Sequence, residues 1–247
     1  RLWKERKQNV RELRYTVPAE DDGRQIKRVV RGRMGVSHRV FSALKARGLL
    51  LLDGESVHAD RIVRAGQTIR LPLQEEEGPG AALGEDAPVG IVYEDEDLLI
   101  VDKDAPLPCQ CSPKQRGGAL ENRLAYYFRQ VPGYTFRPVN RLDKGTSGLM
   151  AVALHAHAQR LLGAQLHTGA FVREYLAVVE GGPPRAEGVV DAPIGKADGA
   201  TVRREVRPDG RAALTRYRVE RVAGGLTLLR LRLETGRTHQ IRVHMAH

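Results

Sequence analysis

The sequence predicts an α+β protein whose larger part is a mainly antiparallel sheet, preceded by a small α/β module. Three observations predict it. From Val89 onward, short apolar or alternating runs outnumber helical periodicities. These runs are separated by turn-rich segments instead of regularly intervening helices, so the strand–helix–strand pattern of a parallel sheet is missing. A Gly/Pro/Glu-rich interruption at 74–88 cuts this region off from an N-terminal third of different charge.

Taken in order, residues 1–23 begin R-L-W-K-E-R-K, show no sustained periodicity and read as a basic, flexible lead-in. Over 24–73 the pattern sharpens. Ser37 can cap a helix with an apolar face of Val40, Phe41 and Leu44, and Gly48 follows its end. His38, Arg39 and Lys45 lie on its other faces. L-L-L-L-D-G-E-S-V then reads as a strand entering a D-G hairpin turn, and G-Q-T-I-R-L-P-L as an alternating strand ending at Pro72. Residues 74–88, with five acids, three glycines and two prolines, read as an acidic linker.

The remaining span, 89–247, is expected to form one domain. I-V-Y and L-L-I-V flank the acidic turn E-D-E-D and predict a hairpin ending at Lys103. Leu120, Leu124 and Phe128 place a helix over 118–130, and L-M-A-V-A-L (149–154) predicts a buried strand. A further helix is expected over 156–167, followed by strands at 171–180, 212–219 and 226–233.

The formal charge of +10 over 247 residues favours a polyanionic partner. Residues 1–73 carry 17 basic and 8 acidic side chains, so the excess concentrates there. No apolar run approaches the roughly eighteen residues of a membrane span, and no signal-like segment is visible, which favours a cytoplasmic protein. Cys109 and Cys111 are too few for a disulfide framework or a metal site. His155 and His157, two apart on a helix, do not share a face, and His167 adds no ligand geometry, so no metal is expected. The absence of Walker-type and dinucleotide fingerprints leaves no cofactor to expect.

One carboxylate stands out. In R-P-V-N-R-L-D-K-G-T-S-G-L-M (137–150), Asp143 lies among Arg137, Arg141 and Lys144 at a turn leading into the buried strand. Cations favour the ionised form of a carboxylate, and a turn on a rigid strand can present it at a cleft. By spacing alone, such an Asp more often makes a surface ion pair. A second polar cluster, E-T-G-R-T-H-Q-I-R-V-H (234–244), shifts that balance.

Together, R-L-D-x-x-T-S-G and T-G-R-T-H-Q-I-R-V-H resemble the RNA pseudouridine synthases, in particular the RluA-type branch acting on ribosomal and transfer RNA. I-V-Y-E-D-E-D-L-L-I-V-D-K (91–103), R-E-Y-L-A-V-V-E-G (173–181) and D-A-P-I-G (191–195) agree in order. The resemblance covers about 89–247 and implies the mainly antiparallel, mixed-sheet catalytic domain of that family. Residues 24–73 resemble, in pattern more than identity, the S-four-type RNA-binding module; His38, Arg39 and Lys45 would then contact RNA.

The resemblance implies Asp143 as nucleophile, attacking either the sugar carbon or the base. It implies Arg242 as the arginine pairing with it, and Tyr175 as a ring that stacks on the base and assists proton removal. A stacked uridine must be extruded, and Arg141 matches the arginine that fills the space it leaves. Lys103, Arg237, His239 and Gln240 are expected to bind substrate or shape the pocket.

Three departures from the family pattern occur: Asn140 for histidine, Arg173 for lysine, and Lys103-Asp104-Ala105-Pro106 for Lys-Pro-Ala-Gly. The expected partner is RNA, ribosomal first and transfer RNA second, bound by a monomer. A noncatalytic RNA-binding or ribosome-assembly factor on the same fold is the alternative. A DNA-binding regulator is disfavoured because the 37–48 helix lacks the second helix of a helix-turn-helix. Because family members usually continue for several tens of residues past the motif holding Arg242, the strand carrying it is expected to be incomplete at His247.

Overall fold

The computed structural model describes residues 11–73, 82–112, 116–131, 133–166, 168–199 and 202–247. They form two compact units, Arg1–Leu162 and Gly163–His247. The α+β architecture and the antiparallel pairing are as expected. The division between units falls inside the 89–247 span that was expected to be one domain.

The first unit opens with β1 (Glu12–Thr16), α1 (Ile26–Gly32), α2 (His38–Ala46), β2 (Leu51–Leu52), β3 (Glu55–Ser56) and β4 (Thr68–Pro72), and its sheet order is β1-β4-β2-β3. Ser37 accepts a hydrogen bond from the Val40 amide at 3.3 Å and starts α2 as expected. Phe41 and Leu44 then enter a core with Ile26, Val29, Val30, Ile69 and Leu71.

Two expectations fail here. Glu12–Thr16 is no lead-in but a strand paired along its whole length with β4; residues 1–10 lie outside the described residues. Its alternation is short, and its pairing partner is more than fifty residues away, so local pattern did not show it. Nor is α2 alone. The run I-K-R-V-V-R-G forms α1, which buries Ile26, Val29 and Val30, so the argument against a helix-turn-helix from a missing helix does not stand.

Asp21, fully buried, ties this sheet to α1. It accepts from the Tyr15 hydroxyl at 2.6 Å and from Arg33 Nε at 3.2 Å, and pairs with Arg24 at 3.2 Å. The Tyr15 hydrogen bond, the largest single cause, together with Arg33 and Arg24 holds its carboxyl below the ordinary carboxylate range.

The same unit continues with β5 (Gly90–Glu94), β6 (Leu98–Lys103), α3 (Leu120–Tyr127), β7 (Arg137–Pro138), β8 (Gly148–Ala153) and the start of α4 (Ala156–Gln165). The sheet order is β5-β6-β8-β7, with Lys103 opposite Gly148 and Leu98 opposite Ala153. Of the expected linker, 74–81 lies outside the described residues, and 83–88 is bound to α3. The Glu85 amide donates to the Asn122 carbonyl at 3.0 Å, Asn122 Nδ2 to the Leu83 carbonyl at 2.8 Å, and Arg123 to the Pro88 carbonyl at 3.0 Å. Backbone groups buried beside a helix need such partners, which composition alone does not reveal.

The second unit takes up β9 (Glu174–Glu180), β10 (Glu187–Asp191), β11 (Ile194–Lys196), β12 (Arg204–Val206), β13 (Leu214–Ala223), β14 (Leu226–Leu233) and α5 (Gln240–Met245). Its four-stranded sheet runs β10-β13-β14-β9, and β11 and β12 pair separately. Thr215, Thr227, Leu229 and Leu231 are buried on one face, while Arg216, Arg218, Arg230 and Arg232 form a block in register on the other. The segment expected to be a strand carrying Arg242 is the helix α5. His167 lies outside the described residues.

Among the described residues, three histidines are buried: His155 and His157 in the first unit, His244 in the second. Burial, the largest cause in each case, pushes all three below the ordinary histidine range. A depressed folded-state value means the unfolded chain binds more protons as pH falls through about 6.5, so stability is lost on the acid side. The urea midpoint is expected to drop between pH 7.5 and pH 5.5. His157→Leu, which removes an Nδ1 without a hydrogen-bond partner, is expected to make that drop shallower. An equal midpoint at both pH values contradicts the burial argument.

Candidate active site

Asp143, Arg141 and Lys103 belong to the first unit; Tyr175, Arg237, His239, Gln240 and Arg242 belong to the second. The β6–β8 ladder delivers the chain to the Asp143 loop. Val139 donates to the Ala151 carbonyl at 2.8 Å, and one residue on, Asn140 Oδ1 accepts from the Ala151 amide at 2.8 Å. Asn140 therefore finishes the strand edge, which gives the departure from histidine a structural use. Leu142 turns into the core while Arg141 stays exposed. The Thr146 amide donates to the Asp143 carbonyl at 3.0 Å, closing a β-turn with Asp143 at its first position. Gly148 re-enters the ladder at φ +119°, a conformation that side chains disfavour.

A second loop braces this turn from below. The Leu107 amide donates to the Lys144 carbonyl at 3.0 Å, and Cys109 Sγ donates to the Leu142 carbonyl at 3.0 Å, with Met150 Sδ 3.4 Å away. Lys103, 1% exposed, points Nζ at the carbonyls of Leu107 (2.6 Å) and Asp104 (2.9 Å). Burial pushes its ammonium below the ordinary lysine range, and the negative charges of Asp104 and Asp143 offset part of that.

Lys103, expected to bind substrate, is buried here and holds the 104–107 loop that in turn holds the Asp143 turn. The thiol of Cys109, read from sequence as ordinary, is a brace in the same assembly, and burial pushes it above the usual thiol range. No sequence signal identifies it, because C-x-C spacing is uninformative without the partner carbonyl of Leu142.

In the second unit, Tyr175 lies on β9 opposite Leu231 of β14 and shares its face. Arg173, just before β9, donates from Nη2 to the carbonyls of Leu233 (3.3 Å) and Glu234 (3.1 Å). A Cβ at Gly236 would stand 2.7 Å from its Nη1, so a larger residue there would make the guanidinium shift. The T-G-R-T-H-Q motif then folds around Gln240.

Gln240 Oε1 accepts from Thr235 Oγ1 and the Arg237 amide, both at 2.9 Å, and Nε2 donates to the Leu214 carbonyl (3.1 Å) and to Thr215 Oγ1 (3.0 Å). At 2% exposure it is a hub of the turn. Arg237 Nε donates to the Ala212 carbonyl at 2.9 Å, and His239 takes the left-handed conformation (φ 58°) that starts α5.

His244, one turn after Gln240, shares its buried face and bonds to Thr215 Oγ1 (2.8 Å) and the Ala192 carbonyl (2.9 Å). Arg242, two residues from each, must project to the other side, and it is exposed. The motif thus divides into residues that build the turn and one arginine presented from it. His38, Arg39 and Lys45 are all exposed on α2.

Comparison with known proteins gives a consistent result. A family model described as RNA pseudouridylate synthase matches residues 97–247. The chain is 36% identical over 219 residues to the uncharacterized RNA pseudouridine synthase YjbO of Bacillus subtilis (strain 168), covering 87% of this chain and 77% of that protein. It is 41% identical over 204 residues to ribosomal large subunit pseudouridine synthase D of Xanthomonas campestris pv. campestris, covering 81% and 60%. The corresponding Escherichia coli (strain K12) protein is 43% identical over 164 residues, and the chain spans half of its length. Among solved structures, human RNA pseudouridylate synthase domain containing 1 matches with TM-score 0.51 and 25% identity over 65% of each chain.

The division of labour in the T-G-R-T-H-Q-I-R motif is testable. Gln240→Ala leaves buried donors and acceptors unpartnered and is expected to cost about 1–3 kcal/mol of folding stability. Arg242→Met, on the exposed side of α5, is expected to stay within about 0.5 kcal/mol. Urea unfolding of both variants checks this, and equal losses would contradict the assignment.

Proposed function

The chain belongs to the RNA pseudouridylate synthase family, in its RluA-type branch, and from that premise we propose that it isomerises specific uridines of large-subunit ribosomal RNA with Asp143 as nucleophile. The observation that carries the reading is the matched pair of motifs. R-L-D-K-G-T-S-G presents one carboxylate on a braced turn at the head of β8, and T-G-R-T-H-Q-I-R presents one arginine on α5. The substrate class is supported by the relatives from Xanthomonas and Escherichia named as large-subunit enzymes.

Pseudouridine formation breaks the bond from C1′ of the ribose to N1 of the base, turns the base, and joins C1′ to C5. C5 then loses its proton and N1 gains one. Atoms and electrons balance within the nucleotide, so no oxidant or energy source is consumed. Asp143 serves as the temporary covalent partner, at C1′ of the sugar or at the base. Arg242 pairs with its carboxylate and orients it. Tyr175 stacks on the uracil, and its phenol takes part in the C5 proton transfer.

Arg141, exposed two residues before Asp143, fills the gap left by the extruded uridine. The N-terminal sheet with α1 and α2 acts as an S-four-like RNA-binding module, with His38, Arg39 and Lys45 toward the phosphates. The protein works as a monomer in the cytoplasm, where ribosomal RNA is found. Among the described residues, no helix is long and apolar enough to cross a membrane. A purely binding role on the same fold would not require Asp143, Tyr175 and Arg242 together.

Asp143→Asn is expected to abolish pseudouridine formation while leaving RNA affinity within about twofold, since it removes the nucleophile and none of the cationic surface. Arg242→Met is expected to reduce turnover severely in a protein that still folds. Incubation with bulk ribosomal and transfer RNA, followed by chemical mapping of pseudouridine, reads both. Turnover near wild type in Asp143→Asn would end the nucleophile assignment.

A further inference from the structure

The helix α5 has six residues, too few to hold its shape and direction by its own hydrogen bonds. Its orientation therefore has to come from side chains, and two of its residues supply it. Gln240, the first residue, and His244, one turn on, both reach the hydroxyl of Thr215 on β13, at 3.0 and 2.8 Å. Thr215 is fully buried, and its place is fixed by pairing with Leu233 of β14. Two contacts one turn apart on a single oxygen set the rotation of the helix about its axis. Arg242, midway between them, is exposed on the other side.

The hydrogen positions at this contact follow from the partners whose roles are fixed. The Arg237 amide can only donate, so the Gln240 atom facing it at 2.9 Å is Oε1, and the atom facing the Leu214 carbonyl and Thr215 is the amide nitrogen. The Ala192 carbonyl can only accept, so His244 carries a proton on Nε2. Burial keeps the imidazole neutral, which leaves Nδ1 as an acceptor. The Thr215 hydroxyl must then accept from Gln240 and donate to His244. Before it in the chain of bonds, Thr235 Oγ1 accepts from the Leu214 amide and donates to Gln240 Oε1, each at 2.9 Å. The relay has one direction and every donor in it has a partner.

Thr215 joins the two ends of α5 because its hydroxyl is donor and acceptor at once. An isosteric methyl group there would leave His244 Nδ1 without its donor and Gln240 Nε2 with the Leu214 carbonyl alone. A short helix with weakened anchors shifts or frays, and the side chains it presents move with it. A group that orients a reacting carboxylate is sensitive to such movement, because a misplacement of about 1 Å can cost roughly a hundredfold in rate.

We propose that Thr215 is a positioning residue of the isomerisation, its hydroxyl setting where α5 presents Arg242 by locking Gln240 and His244 to β13. This role rests on the proposed pairing of Arg242 with Asp143 and extends it to a residue outside both motifs. Thr215, fully buried, acts only through the arginine.

The experiment measures the single-turnover rate at saturating bulk ribosomal RNA, RNA affinity and melting temperature for variants of the full chain. Thr215→Val is expected to slow the reaction about ten- to hundredfold with affinity within about twofold, and Thr215→Ser to recover most of the rate. Thr227→Val removes another buried hydroxyl of the same sheet, one that donates to the Gly181 carbonyl, and is expected to lower the melting temperature without slowing the reaction. In an Arg242→Met background Thr215→Val is expected to cost no further rate, because an absent arginine cannot be displaced. Nitrogen-15 NMR of the wild type is expected to show His244 as the Nε2–H tautomer. Should Thr215→Val not fold, Thr215→Cys, a weaker donor at the same place, is expected to slow the reaction by an intermediate factor. A wild-type rate in the folded Val or Cys variant, an equal loss in Thr227→Val, a further loss in the Arg242→Met background, or an Nδ1–H tautomer overturns the role of Thr215 alone. An Arg242→Met variant as fast as wild type, or a wild type that modifies neither ribosomal nor transfer RNA, overturns the functional reading and this role with it.

Discussion

The six-residue antiparallel ladder between β6 and β8 is the constraint on which the rest of the first unit depends. It sets Lys103 opposite Gly148 at one end and Leu98 opposite Ala153 at the other. The Asp143 turn grows from the first end, and the Asp97–His155 contact closes the second. A central ladder with Leu99, Val101, Met150 and Val152 buried cannot slip by one residue without turning this apolar set outward. The carboxylate and Asp97, which Arg11 just before β1 engages, are therefore held in fixed relation along one stiff element.

Polar groups in both units are buried where a loop must be held rigid. Asp21, Lys103, Asn122 and Gln240 are each almost wholly inaccessible, and each bonds several loop or turn groups. A buried polar side chain is costly unless its hydrogen-bonding capacity is used, and once used it specifies one loop conformation. Of these, Lys103 lies beside the Asp143 turn and Gln240 within the T-G-R-T-H-Q motif. The cations that are presented outward, Arg141 and Arg242, stand on elements fixed by these hubs. Preorganisation of this kind is what a site needs to act on a nucleotide drawn out of an RNA fold.

The sequence by itself determined what local periodicity and motif spacing encode. The Ser37-capped helix, the hairpin into Lys103, the strand after Asp143 and the strands β9, β13 and β14 were legible because apolar spacing repeats within a few residues. The family was legible because two long polar motifs occur in order, and motif chemistry survives without coordinates. Only the tertiary structure decided the rest. β1 exists because its hydrogen-bonding partner lies more than fifty residues away in β4. Residues 83–88 dock because Asn122 and Arg123 of α3 hold their carbonyls. The I-R-V-H segment is helical because Gln240 and His244 both find Thr215, which sends Arg242 outward. Lys103 and Gln240 are buried hubs of their turns, a placement that no residue type announces.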